Sequence, residues 1–199
     1  TWIIWNLTNK TKHLTDITNA SRTMLYNITD EAWDHEILDL FKISESILPT
    51  VQPNKDDFGT IHSDHFGIEI PIGGVIGDQQ SASLGQLCVK KGMIKATYGT
   101  GCFVLINTDE NKTKSKNKLL TTIASKVEDK KQYAVEGSIF NAGTVVQWLR
   151  DEMKLFKDVS EIESLIQNSK NDITFIPAFT GLGAPYWKSD TRGTIYGIT

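Results

Sequence analysis

The rhythm of the apolar residues constrains the fold most, because short apolar runs broken by glycine or proline surround one long stretch with a helical period. That stretch is 142–156, where Val145, Leu149, Met153 and Phe156 recur every three or four residues and form one apolar stripe. The other apolar runs are short enough to be strands or brief helices. The pattern therefore predicts a chain that mixes helices with strands.

The same pattern predicts the local elements. Val75–Asp78 is predicted as a buried strand that ends in a carboxylate, and 79–89 as a tightly packed helix. Two β-like runs surround the turn 98–101. A loop is expected at 16–22. The next helix is expected to be capped at Thr29 or Asp30, with one apolar face made of Trp33, Ile37, Leu40 and Phe41. Strands are expected at 119–124, 132–135 and 173–179, and a last helix is expected to be capped by Ser160.

Composition and charge narrow the classes of protein. The 199 residues are 39% hydrophobic, which is enough for a buried core, and 21 basic against 24 acidic residues leave a net charge of −3. No nucleic-acid partner is expected from that balance. No run approaches about 18 apolar residues, so no membrane span is expected. Cys88 and Cys102 are too few for a disulfide framework and indicate a reducing compartment, so the expected location is cytoplasmic.

Asp78 is the first candidate for chemistry. It follows a predicted strand, and ligands of open α/β sheets gather at the carboxyl ends of strands. Gly77 would let a ligand approach the backbone, while Gln79 and Gln80 add amide donors and acceptors. The alternative is that Asp78 caps a helix.

Two further candidates are glycine-containing turns. Gly99 and Gly101 around Thr100 would let backbone N–H groups point into one concavity and bind an anion, although an ordinary hairpin has the same pattern. Gly143 near the start of the long helix, with Gln147 one turn later, would suit a phosphate at the helix N-terminus. The alternative for Gly143 is close packing of the helix on a sheet.

The sequence does not support a metal site or a catalytic triad. The four histidines and two cysteines have no ligand spacing, so no metal site is predicted. The four lysines of 111–118 could form a phosphate or RNA patch, but a solvated surface loop is the simpler interpretation.

Taken together, six blocks of sequence resemble the FGGY carbohydrate kinase family, and most closely its members that phosphorylate glycerol. The resemblance extends over essentially the whole chain. The blocks, in chain order, are 15–25 (TDITNASRTML), 77–80 (GDQQ), 85–88 (GQLC), 97–103 (TYGTGCF), 147–151 (QWLRD) and 177–187 (PAFTGLGAPYW).

The resemblance implies an α/β fold of two ribonuclease-H-like (actin-like ATPase) domains that flank a catalytic cleft. It implies that this chain is an internal fragment, with 1–87 as the C-terminal part of the first FGGY domain and 88–199 as the N-terminal part of the second. The fragment alone is expected to be inactive. The whole enzyme is expected to be a homo-oligomer, a dimer.

The resemblance also implies an activity, the transfer of phosphate from ATP to glycerol to give glycerol 3-phosphate and ADP, with Mg²⁺ as cofactor. Residue by residue, it implies a general base that also binds glycerol, a second glycerol-binding side chain, an apolar wall for the glycerol carbons and three nucleotide contacts. These are, in the same order, Asp78, Gln79, Phe103, and Thr100, Gly143 and Gln147.

Two alternatives stay open. One is a kinase of the same family for another sugar or polyol, such as xylulose; the blocks at 77–80 and 177–187 favour glycerol. The other is an actin- or Hsp70-like ATPase that serves as an assembly or binding module, because a fold by itself does not fix a function.

Overall fold

The structure, a computed structural model, describes residues 1–169 and 173–198. Helices and strands are mixed throughout those residues, as the apolar pattern predicts. The helices are α1 (Trp2–Leu7), α2 (Ile17–Ala20), α3 (His35–Phe41), α4 (Ser63–Phe66), α5 (Asp78–Gly85), α6 (Gly143–Asp151) and α7 (Ile162–Gln167), with 3₁₀ turns at Glu45–Ile47 and Val159–Glu161. The strands are β1 (Leu14–Asp16), β2 (Tyr26–Asn27), β3 (Ala32–Trp33), β4 (Thr50–Gln52), β5 (Thr60–Ile61), β6 (Ile70–Pro71), β7 (Ile94–Tyr98), β8 (Cys102–Asp109), β9 (Leu120–Val127), β10 (Lys130–Ile139), β11 (Thr174–Ile176) and β12 (Thr194–Tyr196).

The chain divides into two compact units, each made of separate stretches. The first unit contains Thr1–Lys95, Leu105–Lys114 and Thr121–Val135, and the second contains Ala96–Val104, Ser115–Leu120 and Glu136–Thr199. A four-stranded sheet in the order β7-β8-β10-β9 supplies residues to both units. Smaller two-stranded sheets pair β1 with β4 in parallel, and β2 with β3, β5 with β6 and β11 with β12 in antiparallel fashion.

The core of the first unit is a cluster of buried side chains: Ile17, Ala20, Tyr26, Ile123 and Tyr133, with Ile28, Trp33 and Val51 packed against it. The rings of Tyr26 and Trp33 meet edge to face at 5.4 Å between centroids. The indole N–H of Trp33 donates to the carbonyl of Pro49 at 3.1 Å. Apolar contact and one hydrogen bond together tie the β2–β3 hairpin to the start of β4.

A charged cluster supports the same hairpin from the outside. The Glu31 carboxylate contacts the ammonium groups of Lys126 and Lys131, the second at 2.6 Å. Partial burial raises the pKa of the Glu31 carboxyl, but the hydrogen bonds from both lysines outweigh burial and hold that pKa below its usual value. Burial and the Glu31 charge also raise the pKa of the Tyr26 phenol to about 12. The cluster contains none of the candidate site residues.

The second unit is held together by aromatic side chains. The ring of Trp148, on α6, lies 5.7 Å from that of Phe175 and 5.1 Å from that of Phe179. Ala178, between the two phenylalanines, is fully buried. The segment that follows turns back so that Leu182 pairs with Lys188. Residues 182–188 thus form a turn that this pairing closes.

Several predicted elements are confirmed. Strands β7 and β8 flank the turn at 98–101, and β9 and β10 match the predicted strands at 119–124 and 132–135 but are longer. The strand expected at 173–179 is shorter, since β11 ends at Ile176. The lysine-rich stretch 111–118 is a loop. Within the described ranges, no helix has the length and apolarity needed to cross a membrane.

Two predictions about the first unit are wrong. Residues 16–22 are not a loop, because the Asp16 side chain accepts the backbone N–H groups of Thr18 and Asn19 and so begins helix α2. The next helix is capped by Asp34, not by Thr29 or Asp30. Pairing of β3 with β2 keeps the chain extended up to Trp33. The buried residue of α3 is Leu38, while Leu40 and Phe41 are exposed.

Three helix boundaries also differ from the prediction. Helix α5 stops at Gly85, and the backbone of Leu87 is left-handed with φ 58°. Helix α6 ends at Asp151, because the N–H of Leu155 bonds six residues back to Leu149 and the chain leaves the helical path. Met153 and Phe156 of the predicted stripe therefore lie beyond it. Ser160 caps no helix: it lies in the 3₁₀ turn that leads into α7, and that turn is capped by Asp158, whose carboxylate accepts from the N–H of Ser160 at 2.8 Å.

Candidate functional site

Asp78 lies at the first position of helix α5, not at the end of a strand as predicted. Residues 75–77 form no strand, although an isolated antiparallel bridge joins Lys55 to Gly74 just before them. The N–H of Val75 donates to the carbonyl of Asn54 at 2.9 Å, and that of Gly77 donates to the Thr18 hydroxyl at 2.9 Å. The Asp78 side chain is exposed, and its Oδ1 accepts from the N–H of Gln79 at 2.8 Å. The carboxylate is thus presented to solvent at a helix N-terminus, where negative charge is favoured.

A buried polar network holds the start of α5. Asp16, which has no exposed surface, accepts the N–H of Thr18 at 2.9 Å and the side-chain amide of Asn54 at 2.8 Å. It also accepts the Thr18 hydroxyl, which itself accepts from Gly77. The same Asn54 amide donates to the carbonyl of Val75 at 3.0 Å. Because Val75 and Gly77 are both tied to this network, the position of the Asp78 backbone is fixed by side chains far away in sequence.

Gly77 has a packing role, in contrast to the ligand approach expected from the sequence. A Cβ atom at Gly77 would lie 2.7 Å from Oε1 of Gln80. Gln80 is buried, and its amide N–H donates to the carbonyl of Ile123 at 3.4 Å. Gln80 therefore anchors α5 to β9 instead of facing a ligand.

Gln79, the second residue of α5, is held by a buried lysine. Lys95 lies in β7 with 1% of its surface exposed, and its ammonium donates to Oε1 of Gln79 at 2.6 Å. The structure thus brings Asp78 and Gln79 together on one helix turn and fixes both. The sequence did not reveal Lys95, because a lone lysine in a strand normally points to solvent.

The Gly-Thr-Gly turn and the start of α6 contact each other through backbone. The carbonyl of Gly99 accepts the N–H of Gly143 at 2.8 Å, and the carbonyl of Thr100 accepts the N–H of Ala142 at 2.9 Å and the hydroxyl of Thr144 at 3.1 Å. These bonds satisfy the N–H groups at the helix start that were predicted to bind a phosphate. The carbonyls of the turn therefore cap the start of α6, and the N–H groups at that helix start are already bonded within the protein.

Two glycines make this contact sterically feasible. A Cβ atom at Gly143 would lie 2.6 Å from the carbonyl oxygen of Gly99, and one at Gly101 would lie 2.5 Å from that of Ile139. Real Cβ atoms do not approach backbone oxygen so closely, so each position requires glycine. Gly143 thus allows close packing, but of α6 against the turn and not on a sheet as the alternative interpretation predicts.

The three remaining candidates in the second unit could contact a ligand through their side chains. Thr100 is exposed in the turn, Gln147 is exposed one turn after Gly143 on α6, and Phe103 is half-buried in β8. The hydroxyl and the amide can each exchange hydrogen bonds with a ligand, and the phenyl ring offers an apolar surface. Among the residues that the structure describes, no three His, Cys, Asp or Glu side chains are grouped in a way that could hold a metal ion.

The comparison with family models covers nearly the whole chain. The model described as "FGGY family of carbohydrate kinases, N-terminal domain" matches residues 1–85, and the C-terminal domain of that family matches residues 94–199.

Individual proteins agree with the family match. A glycerol kinase of Chromobacterium violaceum is 52% identical over 200 residues, which are 100% of this chain and 40% of that protein. The crystal structure of Plasmodium falciparum glycerol kinase with ADP superposes with a TM-score of 0.89 at 46% identity, over 100% of this chain and 40% of that one. A ligand-bound xylulose kinase from Lactobacillus acidophilus superposes with a TM-score of 0.80 at 25% identity, over 100% of this chain and 41% of that one. The chain thus spans 40% of the length of the curated relatives it matches.

Proposed function

The chain belongs to the FGGY family of carbohydrate kinases, and from that premise we propose that it is part of an enzyme that transfers phosphate from ATP to glycerol. Its α/β fold is that of the family's ribonuclease-H-like (actin-like ATPase) domains. The observation that carries the proposal is the exposed Asp78 carboxylate, fixed on α5 beside the immobilised amide of Gln79, in a chain 52% identical to a glycerol kinase.

In the proposed reaction, Asp78 is the general base. Its carboxylate takes the proton of a glycerol hydroxyl as that oxygen forms a bond to the γ-phosphorus and the bond to the leaving ADP oxygen breaks. Phosphoryl transfer needs mainly alignment and charge neutralisation, so a carboxylate at the attacking hydroxyl suffices for this role. Gln79 binds glycerol through its amide, and the half-buried ring of Phe103 covers the glycerol carbons.

The nucleotide contacts in the proposal are side chains of the second unit. The exposed Thr100 hydroxyl and Gln147 amide bind ATP directly. Gly143 contributes indirectly, because the close approach of α6 to the turn fixes the separation of those two groups. The backbone N–H groups at the start of α6 are not assigned to phosphate, since turn carbonyls already accept them.

The proposal also covers the domain boundaries, the metal and the assembly of the whole enzyme. Residues 1–87 belong to the first kinase domain and 88–199 to the second. ATP binds as its Mg²⁺ complex, but the described side chains do not form a three-ligand site, so no step is assigned to the metal. The whole enzyme is a cytoplasmic homodimer, and light scattering of the purified protein would test the dimer.

A coupled assay of ADP formation by the intact enzyme tests the function. We expect ADP formation that saturates with glycerol and is at least tenfold faster than with xylulose or with no acceptor. Faster turnover with xylulose would assign the chain to another kinase of the family. ATP hydrolysis indifferent to any acceptor would favour an actin- or Hsp70-like ATPase.

A further inference from the structure

Lys95 is a charged side chain in a place where charge is costly. Its exposed surface is 1%, and an ammonium removed from water needs acceptors within the protein. Gln79 supplies one of these acceptors, at 2.6 Å from Nζ to Oε1. That distance is typical of a hydrogen bond strengthened by charge.

The chemistry of lysine fixes the orientation of the Gln79 amide. An ammonium group has only donors, so the atom of Gln79 that faces Lys95 has to be the carbonyl oxygen. The NH₂ group of Gln79 then points the other way within the amide plane and carries two donor hydrogens.

Asp78 and Gln79 are therefore complementary in what they offer. They are the first and second residues of α5, where the Asp78 carboxylate is an acceptor and the Gln79 amide, held by Lys95, is a donor. A polyol presents hydroxyl groups on neighbouring carbons, each of which can donate and accept. One hydroxyl can give its proton to Asp78 while the oxygen of the next accepts from Gln79.

We propose that Lys95 is a positioning residue for polyol recognition, which acts by locking the Gln79 amide with its NH₂ group toward a substrate hydroxyl oxygen. The proposal rests on the proposed function and assigns a role to a residue that itself does not touch the substrate. It explains why a lysine is buried at the point of β7 that faces the start of α5.

The orientation is tested by Gln79→Glu in the intact enzyme. Glutamate keeps an oxygen for Lys95 and has nearly the same shape, but it replaces the NH₂ donor by an acceptor. The expected result is an unchanged or higher melting temperature, a KM for glycerol raised about tenfold and a kcat within about threefold of wild type. An unchanged KM would overturn the orientation.

The role of Lys95 is tested by a double-mutant cycle with Lys95→Met, Gln79→Ala and the double variant. If Lys95 acts through Gln79, Lys95→Met raises KM about fivefold or more alone but has little further effect when Gln79 is already alanine. Independent, multiplying effects on KM would overturn the positioning role. Lys91→Met is the matched control, since Lys91 is an exposed lysine in the same region, and it should leave KM unchanged.

Each failure has its own signature. Wild-type enzyme without glycerol turnover would overturn the proposed function. Turnover with additive effects would overturn only the role of Lys95. Should Lys95→Met fail to fold, Gln79→Glu can still overturn the proposal, because an unchanged KM would remove the amide orientation on which the role of Lys95 depends.

Discussion

The two candidate regions are held in place by different means. At Asp78, the backbone is positioned by buried side chains, with Asp16, Thr18 and Asn54 bonded to the residues that precede α5. At the Gly-Thr-Gly turn, the backbone of one segment contacts the backbone of another, and the absence of side chains at Gly101 and Gly143 makes the contact feasible.

The difference predicts how each region responds to mutation. A side-chain network can lose one member and relax, because the remaining groups can rotate or admit water. Where two backbone segments lie too close to leave room for a Cβ atom, the contact cannot relax unless a whole segment moves. The turn should therefore tolerate change less well than the network, although the network holds the residues that precede the candidate base Asp78.

The largest expected effect on stability is that of Gly143→Ala. The added Cβ would lie 2.6 Å from the carbonyl oxygen of Gly99, so α6 has to shift away from the turn. We expect a loss of about 2–3 kcal/mol in the free energy of unfolding, measured by urea denaturation of the intact enzyme. Gly101→Ala, whose Cβ would meet Ile139, should behave alike.

Gly99→Ala is the matched control in the same turn. Its nearest atom to a new Cβ is the carbonyl oxygen of Gly101 at 3.9 Å, an ordinary contact. The free energy of unfolding should change by less than about 0.5 kcal/mol. Equal losses at Gly99 and Gly143 would show that the turn is sensitive for a reason other than close approach.

A smaller effect is expected from Asp16→Asn. The two side chains have the same shape, but whichever way the new amide is turned, its NH₂ group faces a donor in place of a carboxylate oxygen. We expect a loss of about 1–3 kcal/mol in the free energy of unfolding. Turnover should fall as well, because the start of α5 loses its anchor. Asp30→Asn, at an exposed carboxylate, should change neither quantity.

If Asp16→Asn proved more damaging than Gly143→Ala, the comparison between the two regions would be reversed. Thermal and urea unfolding of both variants, side by side in the same buffer, decides the order. The result would then favour the network as the more rigid of the two supports.

Sequence patterns predict the close backbone contact at the Gly-Thr-Gly turn better than they predict the side-chain network before α5. The turn between β7 and β8 and the packing alternative for Gly143 were both visible, because glycine is the signature of close approach. The predicted strand at 75–78 is wrong, since its apolar residues resemble a strand while Asn54 and Thr18 hold them in another conformation. Side-chain partners 38 and 59 residues apart leave no local signal.

Asp16 and Lys95 show what a sequence pattern can and cannot indicate about a buried polar side chain. Asp16 precedes Ile17, Thr18 and Asn19, and an Asp before a potential helical turn is a recognisable N-cap signal in the sequence. Lys95 has no such signal, because only the folded chain brings β7 to α5. The members of the site that touch each other locally were predictable, and those that act across the fold were not.

The most direct test of the central claim is the turnover of Asp78→Asn in the intact enzyme, with glycerol and ATP varied. Asparagine keeps the shape of the exposed side chain but cannot accept the proton. We predict a kcat at least about 100-fold below wild type, with a KM for ATP within about threefold and an unchanged unfolding midpoint. A variant that retains a sizeable fraction of the wild-type kcat would contradict the assignment of Asp78 as the general base.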